Sequence, residues 1–232
     1  GSDLYNDGTK SAGVALSYMD GKVTGYNMDV KTRNDAKYYG LAMYGRMQQG
    51  KARLLGDVTY LHGDNDLEQY NVVKASGKAK SDAISVGVHA EADVKLGAGK
   101  LTPYAGLRYT RIGIGKYRNS LGLQYDADVQ NLVNIPLGLK YSAAIKRGAW
   151  TIRPSVDVGY VWNLGDRNGT ERVNYGNVTD TFGYGSADKG RFVGGINVAV
   201  ENANISYSLG YDYNRSSNTK ANRFNLGFQC RF

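Results

Sequence analysis

The sequence predicts an all-β protein, a transmembrane antiparallel up-and-down β-barrel with ten or eleven strands. Apolar and polar side chains alternate along most of the chain, short and long connections alternate between the strands, and an amphipathic segment ends it. Successive side chains of a strand point to opposite faces, so this alternation gives a sheet with one apolar and one polar face. A mean hydropathy of −0.46 is compatible with a membrane barrel, because lumen residues dilute the apolar signal of each strand.

The composition argues against several other classes. No apolar run approaches the about 20 residues that a membrane helix needs. The net charge of +8 comes from scattered Lys and Arg without a basic run, so nucleic-acid binding is not indicated. The single Cys230 rules out an intrachain disulfide and a cysteine-based metal site. The 19 tyrosines suit an aromatic girdle at a membrane interface. We therefore expect no cofactor and no nucleic-acid partner.

The individual strands follow from the alternation. In Ser81–Leu96 the valines share one face, and His89 and Glu91 lie on the other. In Trp150–Trp162 the apolar face begins and ends with tryptophan, as expected where a strand crosses both membrane interfaces. The segment 22–31 is either an additional strand or the extension of a long hairpin. The ten predicted strands are 11–19, 37–48, 51–62, 81–96, 101–112, 133–146, 150–162, 190–201, 204–214 and 222–232.

The connections form two classes that alternate along the chain. Tight turns are predicted at 49–50, 97–99, 146–148 and 201–203, and long polar loops at 63–80, 113–128, 163–189 and 215–221. Outer-membrane barrels have short turns on the periplasmic rim and long loops on the extracellular rim. If the C-terminus is periplasmic, every tight turn is periplasmic and every long loop extracellular.

The last predicted strand is amphipathic up to its final residue. Phe224, Leu226, Phe228, Cys230 and Phe232 share one face, and polar residues and a glycine occupy the other. A strand that ends a chain on phenylalanine resembles the C-terminal signature of bacterial outer-membrane barrels. The resemblance implies that Phe228 and Phe232 form part of a signal that the barrel-assembly machinery reads.

Several motifs together resemble the C-terminal translocator β-domain of monomeric autotransporters over residues 12–232. They are Ala12–Tyr18 followed by Asp20-Gly21, Tyr38–Gly45, Leu101–Thr110 with its Pro-Tyr-Ala-Gly-Leu core, Ile135–Leu139, Arg153-Pro154 and the final Phe232. The resemblance implies a twelve-stranded outer-membrane barrel whose lumen holds a helical linker to an N-terminal passenger. It implies a translocator, not an enzyme, that anchors this passenger and enables its export to the cell surface.

The chain departs from that pattern at its start. Residues 1–10 show no helical segment, and no passenger and no match to the first one or two strands are found. We therefore expect residues 1–232 to form one autotransporter-like barrel domain without those parts. The expected partners are outer-membrane lipid and lipopolysaccharide, the barrel-assembly machinery and the protein's own passenger. A stand-alone small barrel of porin or adhesin type is the alternative.

The polar faces define the predicted lumen lining. Its ionisable members are Arg53, Asp57, His89, Glu91, Arg108, Lys140, Arg153, Asp157, Arg191, Glu201 and Arg223. One interpretation is a set of paired charges that stiffens the wall. The other is a hydrophilic conduit that hydrates a polypeptide in transit, because backbone groups in lipid would stay without hydrogen-bond partners.

Candidate catalytic and metal-binding residues are few. His62 is predicted on the apolar face, followed by Asp64 and Asp66, a grouping similar to the outer-membrane proteases of the omptin family. The second aspartate pair that such an enzyme needs on a facing strand is not identifiable. Asp64-Asn65-Asp66, Asp126, Asp128 and Asp180 offer oxygen ligands for Ca²⁺ but lack the glycine and distal glutamate of a recognised loop. We therefore predict no catalytic or metal site.

Overall fold

The computed structural model describes residues 1–27, 30–185 and 187–230 of the chain. Seventeen strands lie in these ranges. Within the same ranges, no helix is long and apolar enough to span a membrane. The strands are β1 (Ser2–Asn6), β2 (Lys10–Asn27), β3 (Val30–Gln49), β4 (Ala52–Tyr70), β5 (Lys74–Ala92), β6 (Val94–Leu96), β7 (Gly99–Ile114), β8 (Tyr117–Arg118), β9 (Gln124–Ala127), β10 (Gln130–Ala143), β11 (Ile145–Arg147), β12 (Trp150–Gly165), β13 (Asn168–Tyr175), β14 (Val178–Gly185), β15 (Gly190–Glu201), β16 (Ile205–Arg215) and β17 (Lys220–Cys230).

One large antiparallel sheet contains eleven principal strands in the order β1-β2-β3-β4-β5-β7-β10-β12-β15-β16-β17. Each principal strand pairs with the next one along the chain, and the short strands β6 and β11 pair with β7 and β12 at the turns. The sheet is a half-barrel, and in the described ranges β1 and β17 each have a single paired neighbour. The predicted all-β, antiparallel, up-and-down barrel fold is confirmed.

One of the two alternatives for segment 22–31 is confirmed, and several other predicted boundaries are wrong. The described residues of that segment extend the β2–β3 hairpin, whereas the eleventh strand, β1, lies where none was predicted. Residues 63–80 were expected to form a loop, yet β4 and β5 remain paired from Ala52↔Ala92 up to Tyr70↔Lys74. Both faces of this outer portion carry polar residues. The hydrophobic alternation therefore disappears there, although the backbone hydrogen bonds continue.

The burial pattern of the large sheet is the reverse of that in a water-soluble protein. Leu54, Val58 and Tyr60 of β4 point outward and are 43%, 38% and 46% exposed. Gly63 and Asn65, on the opposite face of the same strand, are buried. The buried hydrophobic residues among those described are Ala36, Ala75, Ala79 and Val161. The apolar side chains thus cover the outside of the sheet and the polar ones its concave inside.

The predicted loops 113–128 and 163–189 hold a second sheet of four strands in the order β14-β13-β9-β8. A β-bridge between Gly77 and Asn119 joins this sheet to β5. The rings of Tyr117 and Tyr125 stack at 4.7 Å with an interplanar angle of 4°. Segments 113–128 and 163–189 were expected to be loops, and they instead form an ordered layer at the rim assigned to the cell exterior. We call this layer the rim sheet.

Candidate functional site: an apolar outer belt and a polar inner wall

The outer belt consists of large apolar side chains that the outward face of the sheet exposes. On β12 its outward positions run from Trp150 to Trp162, which are 37% and 43% exposed. This interval is about 40 Å along an extended strand, or about 30 Å of depth at a tilt of about 40°. The belt therefore matches the hydrocarbon thickness of a bilayer. Aromatic pairs stand near one end of the belt, with Tyr160 and Trp162 at 5.0 Å and Tyr18 and Tyr39 at 5.3 Å between ring centroids.

The inner wall begins, at the periplasmic end, with a charge cluster around Asp93. Arg53 Nη2 lies 3.1 Å from Asp93 Oδ1, and Lys100 Nζ lies 2.6 Å from Asp93 Oδ2. The hydroxyl of Thr102, which is 2% exposed, donates to Asp93 Oδ1 at 2.7 Å. Arg53 Nε is also 2.8 Å from Glu91 Oε1, although the angle does not make a hydrogen bond. The sequence places Asp93 on the polar face of its strand, whereas Lys100 is not among the predicted lining residues.

Farther up the wall, Arg108 forms a bidentate ion pair with Asp57. Its Nη2 and Nη1 atoms lie 2.6 and 2.9 Å from the two carboxylate oxygens, and Nη1 also donates to Ser85 Oγ at 2.9 Å. The pair reaches across β5, where Gly87 lies between the two side chains. A Cβ at position 87 would lie 2.6 Å from Arg108 Nη2. The glycine therefore makes room for this charge-assisted contact.

Next to this pair, Tyr104 spans the wall toward Asp157. Its hydroxyl donates to Asp157 Oδ1 at 3.2 Å, and its ring lies 5.3 Å from that of His89. The phenol covers Gly138 and Gly159, and a Cβ at position 159 would lie 2.5 Å from the Tyr104 oxygen. Tyr104 was missed because a tyrosine on a polar face carries no distinctive pattern, but the glycines on the two following strands were the available signal.

The remaining predicted lining residues occupy the β10–β17 half of the wall. Arg153 Nε lies 2.6 Å from Glu201 Oε1. Lys140 is directly across the ladder from Asp157, and Arg223 is directly across from Asp212. Two cavities of about 650 and 320 Å³ open between these side chains, and Lys140 and Ser155 line both. Arg191 is exposed near the outer end of β15. The structure thus brings six of the predicted lining residues together in three pairs, Arg53–Glu91, Asp57–Arg108 and Arg153–Glu201.

Of the two residues of the predicted assembly signal, the structure describes Phe228. Phe228 lies on the outer face of β17, is 64% exposed and has its ring 5.3 Å from that of Tyr207. Phe232 lies outside the described residues. Recognition of both by an assembly machinery stays a prediction, as does the lumen-lining role of the charged residues.

His62 lies on the outer face with an unpredicted partner, Asp82. His62 Nδ1 is 2.8 Å from Asp82 Oδ1, which also accepts a hydrogen bond from Tyr60 at 2.5 Å. Asp64 is more distant, at 3.8 Å from His62 Nε2. Within the described ranges no group of three or more His, Cys, Asp or Glu is placed to hold a metal ion.

The acidic residues considered for Ca²⁺ have cationic or hydroxyl neighbours instead. Lys116 Nζ lies 2.8 Å from Asp126 Oδ2 and holds the pKa of that carboxyl below its usual range. Lys78 pairs with Asp66 at 3.4 Å, and Thr170 donates a hydrogen bond to Asp128. Asp126 and Asp128 thus take part in contacts of the rim sheet, and Asp66 in a contact between β4 and β5.

The chain matches known proteins over nearly its whole length. The family model for the autotransporter β-domain matches residues 1–214. An extracellular serine protease of Serratia marcescens is 26% identical over 245 residues, and the alignment covers 100% of this chain and 23% of that protein. The chain therefore spans about a quarter of the length of this curated relative.

Solved structures with a similar fold are also translocator domains. The translocator domain of the autotransporter NalP from Neisseria meningitidis is 20% identical, with a TM-score of 0.73 over 99% of this chain and 78% of the other. The transport unit of the autotransporter AIDA-I from Escherichia coli is 14% identical, with a TM-score of 0.68 over 100% and 79%. At these identities the likeness shows the fold. With the family match, it shows that the chain belongs to the autotransporter β-domain family and is an outer-membrane β-barrel of a Gram-negative bacterium.

Proposed function

We propose that this barrel domain anchors an N-terminal passenger in the outer membrane and enables its export to the cell surface. The observation that carries the proposal is the reversed burial pattern, with apolar side chains outside and paired charges inside. The expected partners are the protein's own passenger, outer-membrane lipid and lipopolysaccharide, and the barrel-assembly machinery.

The inner wall has the chemistry that transit of a polypeptide requires. A chain that crosses the membrane inside the barrel must keep its backbone N–H and C=O groups hydrogen-bonded or hydrated. The two cavities are bordered by Lys140, Arg153, Asn197 and Asp212, which support a hydrated surface. Because Arg53, Asp57, Arg108 and Glu201 are held in ion pairs, these charges are not free to bind a passing segment tightly.

The proposed role is not catalytic. The translocator domain family is not itself an enzyme family. The name of the Serratia relative describes the whole of that protein, of which the chain spans about a quarter. His62 is grouped with Asp82 on the outer face of the sheet, and the second aspartate pair that an omptin-like hydrolase needs on a facing strand is not identifiable in the sequence.

The test uses the complete reading frame that contains this chain, expressed in a Gram-negative host. A tag placed upstream of Gly1 should be cleaved by a protease added to intact cells, and it should become protected when residues 1–232 are deleted. A control tag in a periplasmic protein must remain intact throughout. If only a signal peptide lies upstream of Gly1, or if the upstream segment reaches the surface without the barrel, the translocator proposal fails and the stand-alone barrel is favoured.

A further inference from the structure

A cationic cleft of about 800 Å³ opens at the outer rim, between the loop that follows β12 and the hairpin joining β16 to β17. Its upper walls include Arg167, Lys189 and Arg215, and its lower part includes the aromatic rings of Tyr160 and Phe192. We call this feature the rim cleft. It lies directly above the outer belt, because Tyr160 and Phe192 are paired belt positions of β12 and β15.

The cations of the rim cleft outnumber its carboxylate, since Arg167, Lys189 and Arg215 line it with Asp188. Among the described residues, no ion pair involves Arg167, Lys189, Arg215 or the adjacent Lys220. Arg215 and Lys220 face each other directly across the β16–β17 ladder. Like charges in this position destabilise a sheet, so a bound anion would relieve a repulsion that the protein itself does not neutralise.

Asp188, a carboxylate that lines the rim cleft, already accepts hydrogen bonds from the 216–219 turn. Its Oδ1 accepts hydrogen bonds from Ser217 Oγ at 2.9 Å and Asn218 Nδ2 at 2.5 Å, and its Oδ2 accepts one from the Asn218 backbone N–H at 3.1 Å. Hydrogen bonds from Ser216, Asn218 and Ser217 keep the pKa of this carboxyl below its usual range. Asp188 thus fixes the 216–219 turn as one wall of the cleft.

The lower part of the cleft is shaped by Gly190. A Cβ there would lie 2.5 Å from the Tyr160 oxygen and 2.6 Å from a ring carbon. Glycine therefore allows the tyrosine ring to lie against the backbone next to Lys189. The result is an apolar aromatic surface that continues into the belt, with cations grouped above it. An amphiphile with acyl chains below and phosphate above has the complementary arrangement.

We propose that the rim cleft binds the phosphorylated sugar headgroup of an outer-leaflet glycolipid, with Arg215, Lys220, Lys189 and Arg167 around its phosphates. Arginine and lysine make strong charge-assisted hydrogen bonds to phosphate oxygens. The aromatic residues of the lower cleft contact the sugar and the first methylenes of the acyl chains. This inference rests on the outer-membrane role proposed above and adds a site to it.

The experiment uses the complete protein, purified folded from outer membranes in a zwitterionic detergent and stripped of lipid. It is titrated with a bisphosphorylated lipid A, with the same lipid after dephosphorylation, and with inorganic phosphate, and bound ligand is counted by native mass spectrometry. The double variant Arg215→Gln/Lys220→Gln is compared with Lys146→Gln/Arg147→Gln. The second pair removes the same charge from exposed residues of β11, at the opposite rim.

We expect the phosphorylated lipid to bind at least tenfold more tightly than the dephosphorylated one. The Arg215→Gln/Lys220→Gln variant should lose at least tenfold in affinity, and the control pair should bind normally. Lys189 lies outside the strands, and Lys189→Gln should also lower the affinity for the lipid. This single variant replaces the double variant in the comparison if the latter does not fold. Equal affinity in all variants overturns the proposal, and so does inorganic phosphate binding as tightly as the lipid. Passenger display is measured separately: if the complete protein binds the lipid normally but its upstream segment reaches the surface without residues 1–232, the translocator role alone fails.

Discussion

An arginine placed on the outer face of β12 should be far more costly than one on its inner face. Val156 is the midpoint of the outward series from Trp150 to Trp162, and it is 47% exposed on the belt. Its neighbour Ser155 points to the opposite side and lines the two cavities of about 650 and 320 Å³. The variants Val156→Arg and Ser155→Arg therefore place the arginine at adjacent sequence positions but on opposite faces of the sheet.

The expected magnitudes follow from these two environments. An arginine at the bilayer midplane of a membrane barrel costs about 2–4 kcal/mol. Val156 is half exposed, so its removal forfeits little packing and the desolvation of the guanidinium dominates. The cavities beside Ser155 hold room for a hydrated guanidinium next to Asp157 and Asn197. We expect a cost of about 0.5 kcal/mol there, as at other solvated positions.

The assay is a reversible folding titration of the protein into phospholipid vesicles with guanidinium chloride. Trp150 and Trp162, at the two ends of the β12 belt, provide a fluorescence signal for insertion, since the chain has 2 tryptophans. Val156→Arg should lower the free energy of unfolding by about 1.5–3.5 kcal/mol more than Ser155→Arg. Equal losses in the two variants would refute the assignment of the outer and inner faces.

Three further predictions address other parts of the molecule. Gly138→Ala should destabilise the barrel by about 1–3 kcal/mol, because the new methyl overlaps the Tyr104 phenol and lies 2.6 Å from the Val158 backbone oxygen; in a Tyr104→Ala background, where only the backbone contact remains, the same change should cost less, and a double-mutant cycle without coupling would contradict the contact with Tyr104. Burial raises the pKa of Glu171 in the rim sheet, so the contribution of this group to stability should be fully present below its unfolded pKa near 4.5 and be lost as pH rises through the raised folded value; over that rise the hydrogen-exchange protection of β9 and β13 should fall in the unsubstituted protein by more than in Glu171→Gln, and an equal fall in both would contradict the prediction. Deletion of Phe232 should slow assembly into outer membranes more than it lowers the stability of folded barrel, and unchanged assembly kinetics would exclude the terminal-signal role.

The sequence predicted those parts of the fold in which one face meets lipid. The alternation in 81–96 and 150–162 anticipated the membrane portions of β5 and β12, because lipid demands apolar side chains at every second position. Beyond Tyr60 the strand no longer faces lipid, and Asp64 and Asp66 occupy the outward positions. The β4–β5 pairing continues there without apolar alternation, so the sequence pattern did not predict it. The rim sheet was missed for a related reason: its pairing joins two segments far apart in sequence, and no local pattern encodes such a contact.

The inner wall was predicted as a set of charged residues but not as a set of contacts. Alternation alone placed Asp57 and Arg108 on the same face. Their bidentate pairing depends on the register of three strands and on the missing side chain at Gly87. Tyr104 likewise acquires its role from glycines on the following two strands. Register is a property of the assembled sheet, so these partners could be identified only with the coordinates.

The extended β4–β5 hairpin also determines where this protein can accept foreign peptide. Its ladder ends at Tyr70↔Lys74, and Val72 at its tip is 95% exposed. An epitope inserted at Val72 would lengthen a connection that carries no cross-strand pair and would stand clear of the membrane. The same epitope at Asn119 would break the bridge to Gly77 and the hydrogen bonds within the 119–123 turn. For surface display, the tip at Val72 is therefore the permissive insertion site, whereas the turn at Asn119 contributes contacts that hold the rim sheet in place.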